Sequence, residues 1–379
     1  MTKNKTSLDL YSFLDNKTLF FNKINYDVIY LSWELLKAHI SLPFVIHIIG
    51  TNGKGSTGRY LSHILYKNGY KTLHYSSPHI LCFNERIWIN GNNGTNKELE
   101  IAHQSIQKIL PHEIVDKLTY FEYTTLLAIW LSSDLDYLIL EAGLGGEFDA
   151  TNIVINNLTL ITTIGFDHTE FLGDTIFQIA STKMRSCDNA FILGKQIFDS
   201  DVLDAKEKVL KLKKEIKFNN HITLPKKASN LPEYLKDNLK LTMNTLKYLN
   251  IDIQDFTLPV VFGRCYKLSL HVTIDVGHNS LAATAIVKEF IGKKIILIYN
   301  SYADKNYKEI LRILKPIIKE LQIIKIKDER IVKESDLIKV CNTLDIIISK
   351  YDRINNKEEY LVFGSFKVVE KFLKSWDNY

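Results

Sequence analysis

Residues 50–57 read Gly-Thr-Asn-Gly-Lys-Gly-Ser-Thr, between the apolar run Phe44–Ile49 and a segment of helical pattern. Small residues after a strand let backbone N–H groups turn onto an anion, and the following helix N-terminus adds partial positive charge. Lys54 is spaced to reach the distal phosphates of a nucleotide, and Ser56 or Thr57 offers a hydroxyl to magnesium. The spacing departs from the standard phosphate loop. Only Thr51 and Asn52 separate Gly50 from Gly53, and Gly55 intervenes between Lys54 and Ser56. A plain glycine-rich turn would need neither the lysine nor the hydroxyls, so the segment is read as nucleotide-binding.

Glu141 closes the apolar stretch Tyr137-Leu-Ile-Leu-Glu and precedes Ala142-Gly-Leu-Gly-Gly146. A carboxylate at such a strand end is suited to hold Mg²⁺ opposite a nucleotide. The glycine run implies that something approaches the backbone closely there. His168, in Asp167-His168-Thr169-Glu170, again follows a strand. Its imidazole reads equally as a structural histidine and as a metal ligand, with Asp167 orienting its other nitrogen. On residue type alone Lys183 is a helical surface lysine, and Arg264 and Asp275 are ordinary residues, although a glycine-flanked arginine at a hinge could reach a phosphate.

The elements that must position these groups alternate. Strands are expected at 44–49, 71–75, 136–141 and 158–164, with helices over about 56–68, through 123–131 and over 176–184. Residues 1–40 read as an N-terminal cap. Such alternation specifies a doubly wound, mainly parallel α/β sheet whose site lies at the carboxyl ends of the strands. After the loop 224–232 and a helix near 233–249, strand patterns restart near 268–275, 294–299, 322–326, 346–348 and 360–363. They predict a smaller, Rossmann-like α/β domain. The expected division is therefore 1–264 and 265–379.

At 379 residues two domains are the natural expectation. A composition of 46% hydrophobic and 24% charged residues is that of a globular protein with sizeable cores. The net charge of +5, spread over 48 basic and 43 acidic residues, suits an anionic small molecule at least as well as nucleic acid, and with no Arg-rich tract no nucleic-acid partner is expected. The basic stretch Lys206–Lys217 has helical spacing and reads as a solvated helix face. Four scattered cysteines, Cys82, Cys187, Cys265 and Cys341, form no CxxC pair and point to a reducing compartment. Without an apolar leader or a membrane-length apolar run, the expectation is a cytoplasmic protein with no membrane partner.

Together these segments resemble the folylpolyglutamate synthase and dihydrofolate synthase family, within the Mur ligase superfamily. The resemblance runs through Gly50–Ser56, Ser77-Pro-His-Ile80 with Phe83-Asn-Glu-Arg-Ile87, Tyr120-Phe-Glu-Tyr123, Glu141–Gly146 with Asp149-Ala-Thr-Asn152, and Asp167–Gly173. It continues more weakly through Asp275-Val-Gly-His-Asn279, Ala303-Asp-Lys305 and Phe363-Gly-Ser365. The family implies a monomeric two-domain enzyme with ATP held between its domains and Mg²⁺ as cofactor. It would ligate L-glutamate to dihydropteroate, or to the γ-carboxylate of a folate, releasing ADP and phosphate. By resemblance Gly53, Lys54, Gly55 and Ser56 cradle the triphosphate, with Asn238, Arg264 and Asp275 as further ATP contacts. Ser77, Glu141 and His168 would be the metal ligands. The resemblance further implies that Lys54 and His168 would carry catalysis together with Lys183, which matches the lysine that such enzymes carbamylate. Thr119, Tyr120, Phe121 and Glu122, with Phe148, Asp149 and Ala150, would line the pterin site.

The chain departs from the family pattern in places. Glu147 stands where an arginine is usual, Phe262 replaces the proline before Gly263-Arg264, and Met184-Arg185-Ser186 follow Lys183 in place of Ala-Gly-Ile. Val276-Gly277 and Ser280 alter the segment around Asp275. None removes a phosphate or metal ligand. The alternatives are a Mur-type amino-acid ligase acting on another carboxylate and a catalytically idle nucleotide-binding protein. Intact Lys54, Glu141 and His168 weigh against the second.

Overall fold

A computed structural model describes residues 9–18, 26–351 and 353–376. The remainder of the expected N-terminal cap, 1–8 and 19–25, lies outside the described residues. The chain divides into two compact units. The first contains the described residues up to Ile164, Glu170–Ser229 and Asp237–Pro259. The second contains Gly165–Thr169, Asn230–Lys236 and the described residues from Val260 onward.

The first unit is built on an eight-stranded sheet. Its strands are β1 (Phe44–Ile49), β2 (Thr72–Tyr75), β3 (Ile87–Ile89), β4 (Asn92–Asn93), β5 (Tyr137–Glu141), β6 (Leu158–Ile161), β7 (Ala190–Leu193) and β8 (Lys214–Glu215). Their spatial order is β4-β3-β2-β5-β1-β6-β7-β8. All neighbours are parallel except β2–β3 and β3–β4. Strand β1 is a continuous apolar run because both faces are covered, as central parallel strands require. Its register places Ile48 beside Glu141 and Ile49 beside Ile161. Gly50, Ala142 and Thr162 therefore leave the sheet at one edge.

Helix starts are set locally. Helix Lys54–Lys67 begins at Gly53, whose φ of 94° is a left-handed conformation natural to glycine. Helices Tyr120–Leu131 and Ile176–Met184 begin with capping boxes, Thr119 with Glu122 and Thr175 with Gln178. Leu73, Tyr75, Leu126 and Leu138 belong to one core cluster of this unit; Ile161, Ile179, Met184 and Phe191 belong to another.

The second unit holds β9 (Tyr266–Lys267), β10 (Val272–Asp275), β11 (Ile295–Tyr299), β12 (Ile318–Ile323), β13 (Ile348–Lys350) and β14 (Tyr360–Phe363). Their order is β13-β12-β11-β14-β10-β9, parallel except for the β10–β9 edge pair.

Several expected boundaries move. The strand foreseen over 158–164 stops at Ile161, because the next residues turn to serve the glycine loop: Thr163 O accepts from Thr51 N and Asn52 N. The stretch 206–217 is not one helix. Helix Asp199–Val209 ends there, Leu212 is 94% exposed, and Lys214 pairs with Ala190 on the sheet edge. Sheet pairing wins over helical spacing. The strand expected at 322–326 is Ile318–Ile323, since its register against β11 is set by Leu321, Gln322 and Ile323 opposite Leu297, Ile298 and Tyr299. Among the described residues no helix is long and apolar enough to cross a membrane.

Candidate active site

In the first unit the turn after β1 closes on itself. Gly50 has φ 142°. Lys54 Nζ donates to the carbonyls of Gly50 and Thr51, each at 3.2 Å. Ser56 Oγ donates to Gly53 O at 3.1 Å and accepts from Asn238 Nδ2 at 2.7 Å. A Cβ at Gly53 would fall 2.4 Å from Asn238 Oδ1, so the loop's second glycine is needed for close approach as well as for its φ. The helix Glu233–Tyr248 thus brings Asn238 onto the loop. Thr57, the other hydroxyl considered, is buried and its Oγ1 has no protein partner.

Lys183, from the helix Ile176–Met184, is buried, and its Nζ donates to Gly50 O at 3.0 Å. Buried Glu141 lies at the end of β5. Its Oε2 accepts from Ser77 N at 3.3 Å, and it would stand 3.1 Å from a Cβ at Gly55. Gly55, the residue that breaks the standard spacing, leaves room for this carboxylate close to the first helical turn.

Among the described residues no group of three or more His, Cys, Asp or Glu side chains could hold a metal ion by itself. One buried carboxylate, with the backbone N–H of Ser77 beside it, nevertheless suits a hard divalent cation such as Mg²⁺. That ion keeps waters and takes substrate phosphate oxygens in preference to an all-protein cage.

The glycine run after β5 packs on the Lys183 helix. A Cβ at Gly146 would meet Lys183 O at 2.4 Å, and one at Gly143 would meet the Phe121 ring at 2.6 Å. Two of the family departures meet here: Arg185 Nε forms an ion pair with Glu147 Oε2. Asp149 turns inward and organises its own loop. It accepts from Leu144 N at 2.7 Å, Thr151 N at 2.9 Å and Thr151 Oγ1 at 2.5 Å. Burial raises its carboxyl above the ordinary value, against the pull of these donors. Thr151 Oγ1 also meets His47 Nε2 at 2.8 Å, and burial lowers the His47 ring to about 4.

Of the other residues expected around the pterin, Thr119 and Glu122 are both buried and bonded to each other, with Glu122 Oε2 accepting from Thr119 N at 2.7 Å and Thr119 Oγ1 at 2.8 Å. Tyr120 lies 5.1 Å from the Arg86 guanidinium. Phe148 is 58% exposed, and Ala150, two residues on, is buried.

His168, Arg264 and Asp275 belong to the second unit. His168 has φ 51°; its Nε2 is 3.4 Å from Lys305 Nζ and 3.8 Å from Asp167 Oδ1. Asp167 is the hub of this group, accepting from Lys305 Nζ at 2.6 Å and Asn279 Nδ2 at 3.0 Å, with His278 Nε2 at 3.6 Å. Burial works against its ionisation, but His278, His168 and Lys305 outweigh it and hold the carboxyl well below the usual range. Asp275 Oδ2 accepts from Tyr234 OH and Cys265 N at 2.9 and 2.8 Å, and Oδ1 accepts from Gly277 N at 2.7 Å. Burial, then Asp275, push the Tyr234 phenol far up. The Arg264 guanidinium sits 5.5 Å from the Phe366 ring. Lys305 and His278 received no role from sequence, although both lie inside motifs that the resemblance picked out.

No protein-family model matches the chain. A Haemophilus influenzae dihydrofolate synthase/folylpolyglutamate synthase is 30% identical over an alignment of 393 residues, covering 87% of this chain and 88% of that protein. Among solved structures, Helicobacter pylori folylpolyglutamate synthetase is similar with a TM-score of 0.77 at 35% identity, each chain covering 98% of the other. Escherichia coli FolC in complex with DHPP and ADP gives a TM-score of 0.82 at 25% identity, over 97% of this chain and 96% of that one. With a 30% identical relative aligned over most of both lengths, the chain belongs to the dihydrofolate synthase/folylpolyglutamate synthase family of the Mur ligase superfamily.

Proposed function

We infer that the chain is an ATP-dependent ligase that joins L-glutamate to dihydropteroate, to the γ-carboxylate of a folate, or to both. The observation that carries this reading is the alignment across 87% of the chain with a relative of that activity. A carboxylate is a poor electrophile, so ATP first converts it to an acyl phosphate. The amine of glutamate then attacks, and phosphate leaves after ADP.

In this reading Gly53, Lys54, Gly55 and Ser56 hold the triphosphate and Asn238 braces Ser56. Lys54 offsets charge on the transferred phosphoryl group, as preorganised donors do. Arg264 and Asp275 are proposed as further nucleotide contacts. Tyr120, Phe121 and Phe148 offer ring surface to the pterin, while Thr119, Glu122, Asp149 and Ala150 shape the backbone around it. The reaction works with a divalent metal ion, and Mg²⁺ is the ion proposed, held by Ser77, Glu141 and His168. It supplies charge neutralisation on the phosphates. The buried Glu141 beside Ser77 N supports that assignment.

The proposed division is an ATP-binding domain with the pterin site over 1–264 and a smaller α/β ligase domain over 265–379. The enzyme is placed in the cytoplasm as a monomer without nucleic-acid or membrane partners. The unpaired cysteines Cys82, Cys187, Cys265 and Cys341 suit a reducing compartment. ADP release measured with glutamate plus dihydropteroate, then with glutamate plus a monoglutamyl folate, tests the reading. Turnover in one or both arms is expected. ADP release in neither arm, from folded protein that binds ATP, would overturn it.

A further inference from the structure

The segment between β2 and β3 carries Ser77, and one side chain fastens most of it. Glu85 Oε2 accepts from Ile80 N at 2.7 Å, and Oε1 accepts from Leu81 N at 2.8 Å and Cys82 N at 2.9 Å. Three consecutive backbone N–H groups thus converge on a single carboxylate. Such charge-assisted bonds are the strong ones, and a loop held by three of them has little freedom left.

The anchor is itself tied down. Arg59, on the helix that follows the phosphate loop, points Nη2 at Glu85 O, 3.5 Å away, and its guanidinium lies 5.1 Å from the Trp88 ring. Next in sequence, Arg86 Nε donates to His79 Nδ1 at 2.9 Å, and Arg86 O accepts from Ser76 N at 2.8 Å. Both ends of Ser76–Arg86 are therefore pinned, and Ser77 N is left pointing at Glu141 Oε2.

We propose that Glu85 is a positioning residue: by gathering the amides of Ile80, Leu81 and Cys82 it holds the Ser77 turn at the distance from Glu141 that metal-nucleotide binding requires. The proposal rests on the ligase reading, because only there do Ser77 and Glu141 share an ion. Glutamine at 85 keeps the volume but replaces one acceptor by an NH₂ that faces a backbone N–H. At least one of the three bonds is lost and a donor opposes a donor.

The test compares the parent with Glu85→Gln, and with Leu81→Ala as a control that trims an exposed side chain of the same turn. Amide hydrogen exchange over 80–82 and Mn²⁺ binding to the ATP-loaded protein, followed by electron paramagnetic resonance, are both read without folate substrate. In Glu85→Gln the three amides should exchange faster. Mn²⁺ affinity should fall about 10–100-fold, the usual cost of removing an outer-shell partner, with turnover at saturating metal nearly kept. Leu81→Ala should match the parent in both readouts. Unchanged Mn²⁺ affinity in a folded Glu85→Gln protein would overturn the proposal. A parent that fails to ligate glutamate would instead sink the ligase reading, leaving the exchange result standing.

Discussion

The ammonium groups of Lys54 and Lys183 meet on one acceptor, the carbonyl oxygen of Gly50, at 3.2 and 3.0 Å. Two cations held to one oxygen repel each other. An anion seated in the loop relieves that repulsion, and so does conversion of Lys183 to a carbamate. Either event suits a site that handles a triphosphate.

Lys183→Ala is expected to be nearly inactive. Adding a small carboxylic acid that occupies the vacated space should restore part of the rate if the native group works as a carbamate. Electron density at Nζ in a nucleotide-bound crystal is the direct check. A bare amine in a fully active crystal form would reject carbamylation while leaving the contact with Gly50 in place.

Lys54→Ala should fold as the parent does, because the side chain is only half-buried and fills no core. Ligation should fall by about 10²–10³-fold, the usual loss for one preorganised electrostatic contact. Steady-state ADP release beside a thermal melt separates the two effects. Undiminished turnover would end the assignment.

Glu141→Gln keeps the shape of the strand end and removes its charge. The metal concentration for half-maximal rate should rise by at least about tenfold, while nucleotide still docks through the glycine loop. Overlaying metal titrations of variant and parent would reduce Glu141 to an ordinary strand-end acid.

Acid should weaken the first unit through His47. Burial lowers its folded-state value to about 4, whereas an unfolded histidine titrates near 6.5. Between those values the unfolded chain binds more protons, so stability falls as pH falls, by roughly 3 kcal/mol across the window. His74, also buried and shifted well down, acts in the same direction. Urea midpoints from pH 7 to pH 4 check this: the slope should be shallower in His47→Gln than in the parent.

Chemistry carried by consecutive residues was legible from the chain itself. The run Gly50–Thr57 encodes its loop through two glycines of positive φ and a lysine one turn away, and the expected strand 44–49 is β1 residue for residue. The helix over 176–184 was equally plain, since Thr175 and Gln178 cap it locally. Such elements depend on neighbours within a few residues, which any window of sequence displays.

Partners far apart in the chain were decided only by packing. Lys183 reaches Gly50 across 133 residues, Asn238 reaches Ser56 across 182, and Lys305 reaches Asp167 across 138. Nothing in residue type distinguishes these lysines from surface ones; resemblance pointed to Lys183, and Lys305 went without a role. Strand ends behaved alike: β6 stops at Ile161 because the residues beyond it serve the glycine loop, and Lys214 joins a sheet edge although its spacing is helical. Sequence specified which groups could do chemistry and which short elements would carry them. Tertiary structure chose which of those groups share an oxygen, because that choice depends on the register of β1, β5 and β6 and on how helices pack across it.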